Sequence, residues 1–578
     1  MQAYTNKRIR VLAIIVFVAV ILFVIRLFYI QIVRHDYYAM QANSEQMRQW
    51  ILPAVRGEIY SLDRGKPQKL VLNETVFTVW ADPKLVAEPD KIIDVLKRVA
   101  GGNLRSNAAD LLKKTDTRYQ ILATKVSSRQ AQLIKNEKLY GLGFERGEQR
   151  VYPEGELASQ VLGFVDNNGN GQYGLEGALN NQLTGKDGLL KTIADVRDVP
   201  LTLGKDNVMV PAVNGQDTVL TIDRSIQAYT EKALRDGLQK IGAKNGSAVV
   251  MDPQTGRVLA MANYPTYDPS KLNEVEDVAY FNNNTISKPY EPGSDIKTFT
   301  VAMGLDTGTI TPQSTYLNTD YIQVDDRTIA NALKGHTGTI TMQDALNYSL
   351  NTGMVTIMQR LGNGSQITDK ARNTTYEYFH DRMRLGQLTG IELANESAGT
   401  VIAPTDAEGN AVRYSNMSFG QGMDITMLQV SAGFSSIING GTYYKPTIIA
   451  GKMQNGNFVA EQPSVIRSNV ISQTASDQTR EMVHIARTGF HRNIDKPGYY
   501  VGGKTGTSQA LVNGRYVNNE TIATYLGFGG AINQPSKYVI MVEVSSPGMN
   551  LEGGVHAMPI FTDISNWMLG YMQIQPKG

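Results

Sequence analysis

The chain has 578 residues, 42% of them hydrophobic and 19% charged, a length that calls for two or more cores and a composition that is globular rather than disordered. Its 56 basic and 54 acidic side chains leave a net charge of +2, so no electrostatic footprint points to nucleic acid. Cysteine is absent, which excludes a thiol nucleophile, thiolate metal sites and disulfides.

Residues 1–10 are a short tail that carries Lys7, Arg8 and Arg10. Residues 11–33, Val11 to Val33, are an apolar run interrupted by Arg26. As helix this run is about 35 Å long, enough to cross the hydrocarbon layer. It is apolar on every face, unlike the one-sided stripe of a surface helix. The three cations ahead of it favour a cytoplasmic N-terminus and an exported remainder. Residues 26–38 offer only bulky or charged side chains and no small-x-small cleavage site, so an uncleaved anchor is expected, with Arg26 snorkelling to the outer interface. No second spanning segment follows.

Beyond the anchor, Tyr37 to Trp50 reads as a polar helix leaving the membrane. From Gly57 to about Leu220 short strands alternate with charged helices such as Lys91 to Val99 and Ser127 to Leu139. Asp166-Asn-Asn-Gly-Asn-Gly171 imitates the opening of a calcium-binding EF-hand. Glu176 falls one place short of the position that motif requires, so a hairpin turn is the expectation. Past Ala243-Lys-Asn-Gly246 the texture changes. Ser247 to Met251 and Arg257 to Ala262 are apolar runs joined by Asp252-Pro-Gln-Thr-Gly256, the pattern of a β-hairpin. Roughly 290–440 is mostly helical in pattern. Three more strands are expected at Tyr499 to Gly506, Ile522 to Phe528 and Tyr538 to Val544, with Asn513-Gly514 and Pro535-Ser536 in the turns. Two strands, a helical insertion and three strands imply an α/β (α+β) domain: one central antiparallel sheet carrying a helical lobe.

Three short motifs each occur once: Ser294-Asp-Ile-Lys297, Ser349-Leu-Asn351 and Lys504-Thr-Gly506. Pro292-Gly293 breaks the chain before Ser294, and an apolar helical pattern follows, so Ser294 heads a helix with Lys297 one turn on and on the same face. An N-cap serine with a solvated lysine would leave the same trace. A serine hydroxyl needs a base. The six histidines are scattered and no G-x-S-x-G elbow is present, whereas a lysine can serve if burial or a cationic neighbour such as Lys504 keeps it neutral. Lys504, Thr505 and Thr507, beside the small Gly506 at a strand end, suit a carboxylate, although a tight turn with a surface lysine fits the same residues. Ser349 offers a proton relay and Asn351 a donor and acceptor for a peptide amide, or the pair marks a helix interruption.

Together the three motifs resemble the penicillin-binding protein and serine β-lactamase superfamily. Tyr290-Glu-Pro-Gly-Ser294, Gly502-Gly-Lys-Thr-Gly-Thr-Ser508, Asp252-Pro-Gln-Thr-Gly-Arg-Val-Leu-Ala260 and Phe419-Gly-Gln-Gly422 are similar to class B penicillin-binding proteins. Arg56-Gly-Glu-Ile-Tyr60, Arg150-Val-Tyr-Pro153 and Gly174-Leu-Glu176 are similar to that family's non-catalytic pedestal. The resemblance implies a pedestal over residues 34–235 and a transpeptidase domain over residues 236–575, needing no cofactor and no metal. Val79-Trp-Ala-Asp-Pro83 looks more like the cell-division branch than the elongation branch. Two departures stand out: Asp295 where threonine is usual, and His556 where a small residue is usual.

By the same resemblance, Lys297 takes the proton of Ser294, which attacks the D-Ala-D-Ala end of a peptidoglycan stem peptide. Backbone N–H groups of Ser294 and Thr507 hold the oxyanion. Ser349 relays a proton to the leaving D-alanine. Lys504, Thr505, Gly506 and Thr507 hold the terminal carboxylate, and Asn351 holds the peptide side. β-Lactams would trap Ser294. The implied partners are a polytopic glycan polymerase of the shape-elongation-division-sporulation (SEDS) family and the membrane proteins of the divisome or elongasome. The rival functions are a D,D-carboxypeptidase or β-lactamase, in which water replaces the acceptor amine, and a non-catalytic divisome scaffold or β-lactam sensor.

Overall fold

The apolar run from Val11 to Val33 lies within one helix, Gln2–Phe28, prolonged by a wider turn at Tyr29–Val33. Its large apolar side chains are exposed, so no protein core is built on it, and the stretch Lys7–Val33 is long and apolar enough to cross a membrane. The computed structural model describes residues 2–38, 41, 47–193, 208–490, 494–512 and 515–577. It divides into one unit of Met1–Arg56 with Thr184–Gly215, and another of Gly57–Leu183 with Gln216–Gly578.

In the first unit a three-stranded antiparallel sheet joins Met47–Leu52, Gly188–Ile193 and Val208–Val210. This corrects the helix expected over Tyr37 to Trp50. Residues 35–38 form a helical turn, and residues 39, 40 and 42–46 lie outside the described residues. From Met47 the chain is a strand, in register from Met47 opposite Ile193 to Leu52 opposite Gly188. A six-residue run has little helical drive of its own, and pairing with a distant strand overrides it.

In the second unit the long strand Lys66–Ala81 organises the segment before residue 220. It pairs with Ile59–Asp63 at one end, and with Leu142–Val151 and Gln120–Ser127 along the rest. Helix Pro89–Ala100 buries Ile92, Ile93, Val95 and Leu96 in the core formed on these strands. Helix Ser128–Asn136 is capped by Ser127 reciprocally with Gln130; it begins where the sequence indicates and ends three residues earlier. The EF-hand look-alike is a hairpin turn: Phe164–Val165 pairs with Gly171–Gln172, and Asp166 Oδ1 accepts the N–H groups of Asn168 and Asn170. The sheet does not stop at this segment. Ile59–Asp63 pairs in parallel with Thr218–Asp223, which pairs with Ile449–Gln454 and through it Asn457–Ala460.

The remainder of this unit centres on strands β1 (Asn245–Met251), β2 (Val258–Tyr264), β3 (Tyr499–Val512), β4 (Arg515–Ala531) and β5 (Tyr538–Ser545). They form the expected single antiparallel sheet in the order β2-β1-β5-β4-β3. The expected turn at Asn513-Gly514 lies outside the described residues. Helices Arg224–Ile241 and Met558–Tyr571 pack with one apolar cluster of this sheet. The other cluster belongs to the helical lobe, whose central helix is α1 (Lys297–Asp306). Residues 297–305 of α1 are all buried, the signature of a core helix rather than a surface one. Between α1 and α2 (Met342–Asn347) the chain makes two hairpin pairings, Thr315–Asn318 with Gly338–Thr341 and Tyr321–Val324 with Arg327–Ala330. The helical reading of that stretch did not contain them.

Candidate active site

Ser294 lies in a tight 3-10 turn, Gly293–Ile296, that feeds directly into α1. Gly293 adopts φ +59°, and a Cβ there would stand 2.8 Å from Thr507 O. Only glycine therefore lets this turn press against β3. Ser294 is half-buried at the mouth of a cleft of about 400 Å³, and one turn on, Lys297 is 1% exposed.

Ser349 supplies the second wall. It sits between α2 and α3 (Asn351–Leu361) with φ +55°, a left-handed kink costly for a non-glycine residue. The kink aims both its oxygens at one amine: Lys297 Nζ donates to Ser349 O at 2.6 Å and lies 3.2 Å from Ser349 Oγ. From β3, Lys504 Nζ donates to the same Oγ at 2.9 Å and to Thr505 O at 3.0 Å. One hydroxyl thus bridges two buried amines. Among the described residues no hydrogen bond joins Lys297 to Ser294; the Lys297 amine rests on Ser349 instead.

Burial and then the charge of Lys504 push the Lys297 amine well below the ordinary lysine range. Lys504 is also lowered by burial, an effect that Asp295 opposes. Two buried amines so close cannot both carry a proton cheaply, and the arrangement favours a neutral Lys297 beside a charged Lys504.

Seven of the eight residues singled out by motif line the cleft: Ser294, Lys297, Ser349, Asn351, Lys504, Thr505 and Thr507. Gly506 does not. It is buried behind the cleft, against Thr524 and Asp295. Asn351 Nδ2 donates to Ala330 O at 2.8 Å, which turns the amide by tying it to a hairpin the sequence did not reveal. Thr507 is exposed and its Oγ1 accepts from Gly553 N at 3.2 Å. His556 caps its own turn through Glu552 N at 2.8 Å and is not among the cleft residues.

Sequence reasoning missed Arg487 and Tyr525, both in the cleft wall. Arg487 is 1% exposed, pairs with Asp495 at 2.6 Å and donates to Tyr525 Oη at 2.5 Å. A signal existed, since Arg487 lies four residues after buried Val483 on the inner face of helix Gln473–Phe490.

Residues 246–566 match the Penicillin binding protein transpeptidase domain, and residues 51–220 the Penicillin-binding Protein dimerisation domain. The chain is 30% identical over 576 residues to stage V sporulation protein D of Bacillus subtilis, covering 98% of this chain and 86% of the relative. It is 27% identical over 556 residues to the probable peptidoglycan D,D-transpeptidase PbpC of Pseudomonas aeruginosa, covering 95% and 93%. Among solved structures, penicillin binding protein 3 of Mycobacterium tuberculosis complexed with aztreonam matches with a TM-score of 0.66 and 26% identity, over 92% of this chain and 98% of that one. With both domains in order and similarity over nearly the whole length, the chain belongs to the penicillin-binding protein transpeptidase family, as a class B member and a serine-type peptidoglycan D,D-transpeptidase.

Proposed function

We propose that Ser294 is the nucleophile, Lys297 its base and Ser349 the proton relay in the cross-linking of stem peptides that end in D-Ala-D-Ala. The observation that carries this reading is the run of contacts from Lys297 through Ser349 Oγ to Lys504, at the mouth that Ser294 occupies. Neutral Lys297 accepts the Ser294 proton as Oγ bonds to the carbonyl carbon of the penultimate D-alanine. The oxyanion is held by the N–H groups of Ser294 and Thr507, a role supported by the close approach of Gly293, the residue before Ser294, to Thr507. The C–N bond then breaks, and the leaving amine takes its proton from Lys297 through Ser349. An amine of a second stem peptide attacks the ester, forms the cross-link and returns the proton to Ser294. Lys504, Thr505 and Thr507 form the carboxylate end of the site, with Gly506 packed behind them, and Asn351 meets the peptide side. β-Lactams, which imitate D-Ala-D-Ala, acylate the same hydroxyl.

The domain scheme of this reading is a tail at residues 1–10, an anchor at 11–33, a pedestal at 34–235 and a transpeptidase domain at 236–575. Lys7, Arg8 and Arg10 support a cytoplasmic N-terminus with the catalytic half outside the bacterial cytoplasmic membrane. With a pedestal in place of a glycosyltransferase, new glycan must come from a partner, which we take to be a SEDS-family polymerase working with divisome proteins; an elongasome role is the alternative.

The test is intact-mass spectrometry with benzylpenicillin. Ser294→Ala loses the adduct, and Lys297→Ala and Lys297→Arg both slow it by about 10²–10⁴-fold, the usual worth of a general base, since guanidinium stays protonated. An adduct on Ser294→Ala, or brisk labelling of Lys297→Arg, ends this mechanism. Cross-linked dimer rather than free D-alanine alone, assayed on peptidoglycan strands, separates transpeptidation from D,D-carboxypeptidation.

A further inference from the structure

Asp295 follows Ser294 in the 3-10 turn, yet its side chain is not among those that line the cleft. It is fully buried behind β3: Oδ2 accepts from Thr524 Oγ1 at 2.7 Å and stands 2.8 Å from where a Cβ on Gly506 would lie. Its other oxygen, Oδ1, is sealed from solvent without a hydrogen-bond partner. A carboxyl held so sparingly in a core is expensive, and a threonine would fill the place without a charge. The position therefore asks what the acid does.

The groups around it come from every packed element. β3 contributes Lys504, two residues from Gly506; β4 contributes Thr524 and Tyr525, the latter bonded to Arg487. Tyr290 lies on the segment before the turn, where it feels both Asp295 and Glu543 of β5. Lys297 opens α1 directly after the turn and faces Ser349 instead. Burial pushes the Asp295 carboxyl up to about 7, opposed by the bond from Thr524 and then by the charge of Lys504, which lies two residues from Gly506 on the same face of β3; above that pH the carboxylate in turn opposes loss of the Lys504 proton.

We propose that Asp295 is a positioning residue for acylation: its buried carboxylate, behind Gly506, keeps Lys504 charged, so that Lys504 presents a cation to the substrate carboxylate and keeps Lys297 neutral. This rests on the roles given above to Ser294, Lys297 and Lys504. Without the acid, Lys504 keeps its burial but loses its counter-charge, and it surrenders its proton at a lower pH. The site then loses its hold on carboxylate substrates from the alkaline side, while the hydroxyl and its base remain.

The experiment measures acylation rate against pH for the full chain in detergent, with benzylpenicillin and its methyl ester as probes. Asp295→Asn is the near-isosteric variant. Asp295→Thr removes the same charge while keeping a hydroxyl, should the amide fail to fold. Both should move the alkaline fall of benzylpenicillin acylation down by about one pH unit, with about tenfold loss just above the new midpoint, the usual reach of one nearby opposite charge. The ester, with no carboxylate to hold, should change by less than about threefold. An unshifted alkaline fall in both variants, or equal losses with penicillin and ester, overturns the inference and leaves Asp295 as packing. A wild-type adduct away from Ser294, or a Lys504→Ala variant that still prefers the acid over the ester, overturns the underlying reading as well.

Discussion

Gly506→Ala adds one methyl group at the tightest point behind the cleft. Its Cβ would come 2.1 Å from Thr524 Oγ1 and 2.8 Å from Asp295 Oδ2. Thr524 is the direct register partner of Gly506 across β3 and β4, so the backbones cannot part without opening the ladder. The threonine must turn away, breaking its 2.7 Å bond to Asp295. Overpacking costs about 1–3 kcal/mol, and a hydrogen bond to a buried charged group about 1.5–3 kcal/mol, which together give about 2.5–6 kcal/mol. For a domain of this size that corresponds to an apparent Tm lower by roughly 4–8 °C. Lys504, Thr505 and Thr507 ride on the displaced strand, so benzylpenicillin acylation should slow by at least about tenfold, in line with the cost of ångström misplacement. Thr524→Ala removes the obstructing oxygen, and the double variant should recover about 1–2 kcal/mol relative to the sum of the singles. Scanning calorimetry and stopped acylation time courses read both effects. A Gly506→Ala protein within about 2 °C of wild type and acylating within about twofold, or a strictly additive double variant, would refute the steric argument.

Other consequences are as direct. Asn351→Ala and Lys504→Ala should each slow β-lactam acylation by about 2–5 kcal/mol in the transition state with Tm little changed, and unchanged rates would show the motifs misassigned. Because burial and Lys504 depress Lys297, its neutral form prevails above an unusually low pKa. Acylation should therefore be full between that pKa and the alkaline fall set by Lys504, and drop about tenfold per unit as pH falls through the Lys297 pKa; a rate still climbing past pH of about 10, the ordinary lysine value, would contradict a depressed base. Arg150 and Glu176 form a buried pair at 2.7 Å with side chains 5% and 0% exposed. Arg150→Ala should cost about 3–5 kcal/mol by taking the guanidinium from a fully buried carboxylate, whereas replacing both residues with apolar side chains should cost far less, which thermal melts of the two variants compare.

Much of the catalytic half was legible because its signals are local. Apolar runs such as Val249–Met251 and Tyr538–Val544 announce buried strands, and the break at Pro292-Gly293 announces the helix behind Ser294. The hairpins of residues 315–341 carried no such signal: strands like Thr315–Asn318, with alternating exposure, are too short and polar for periodicity to register. Met47–Leu52 misled for the opposite reason, since Met47, Trp50 and Ile51 also suit one helical face and only the partner strand decides. Motif reading found the residues facing the cleft. It left Gly506 facing inward undetected, and it could flag Asp295 only as a departure, because its surroundings depend on the register of β3 against β4, which no single segment encodes.

The strand Thr218–Asp223, held on one side by Ile59–Asp63 and on the other by Ile449–Gln454, has a mechanical consequence. A load taken up at residues 59–63 enters the catalytic half across strand ladders, where a lengthwise pull must shear several hydrogen bonds together instead of peeling them singly. Thr221 adds a rivet, its Oγ1 donating to Val258 O at 2.5 Å on β2. Tension on the segment before residue 220 would thus reach the sheet as a stiff displacement and not be dissipated in a slack tether.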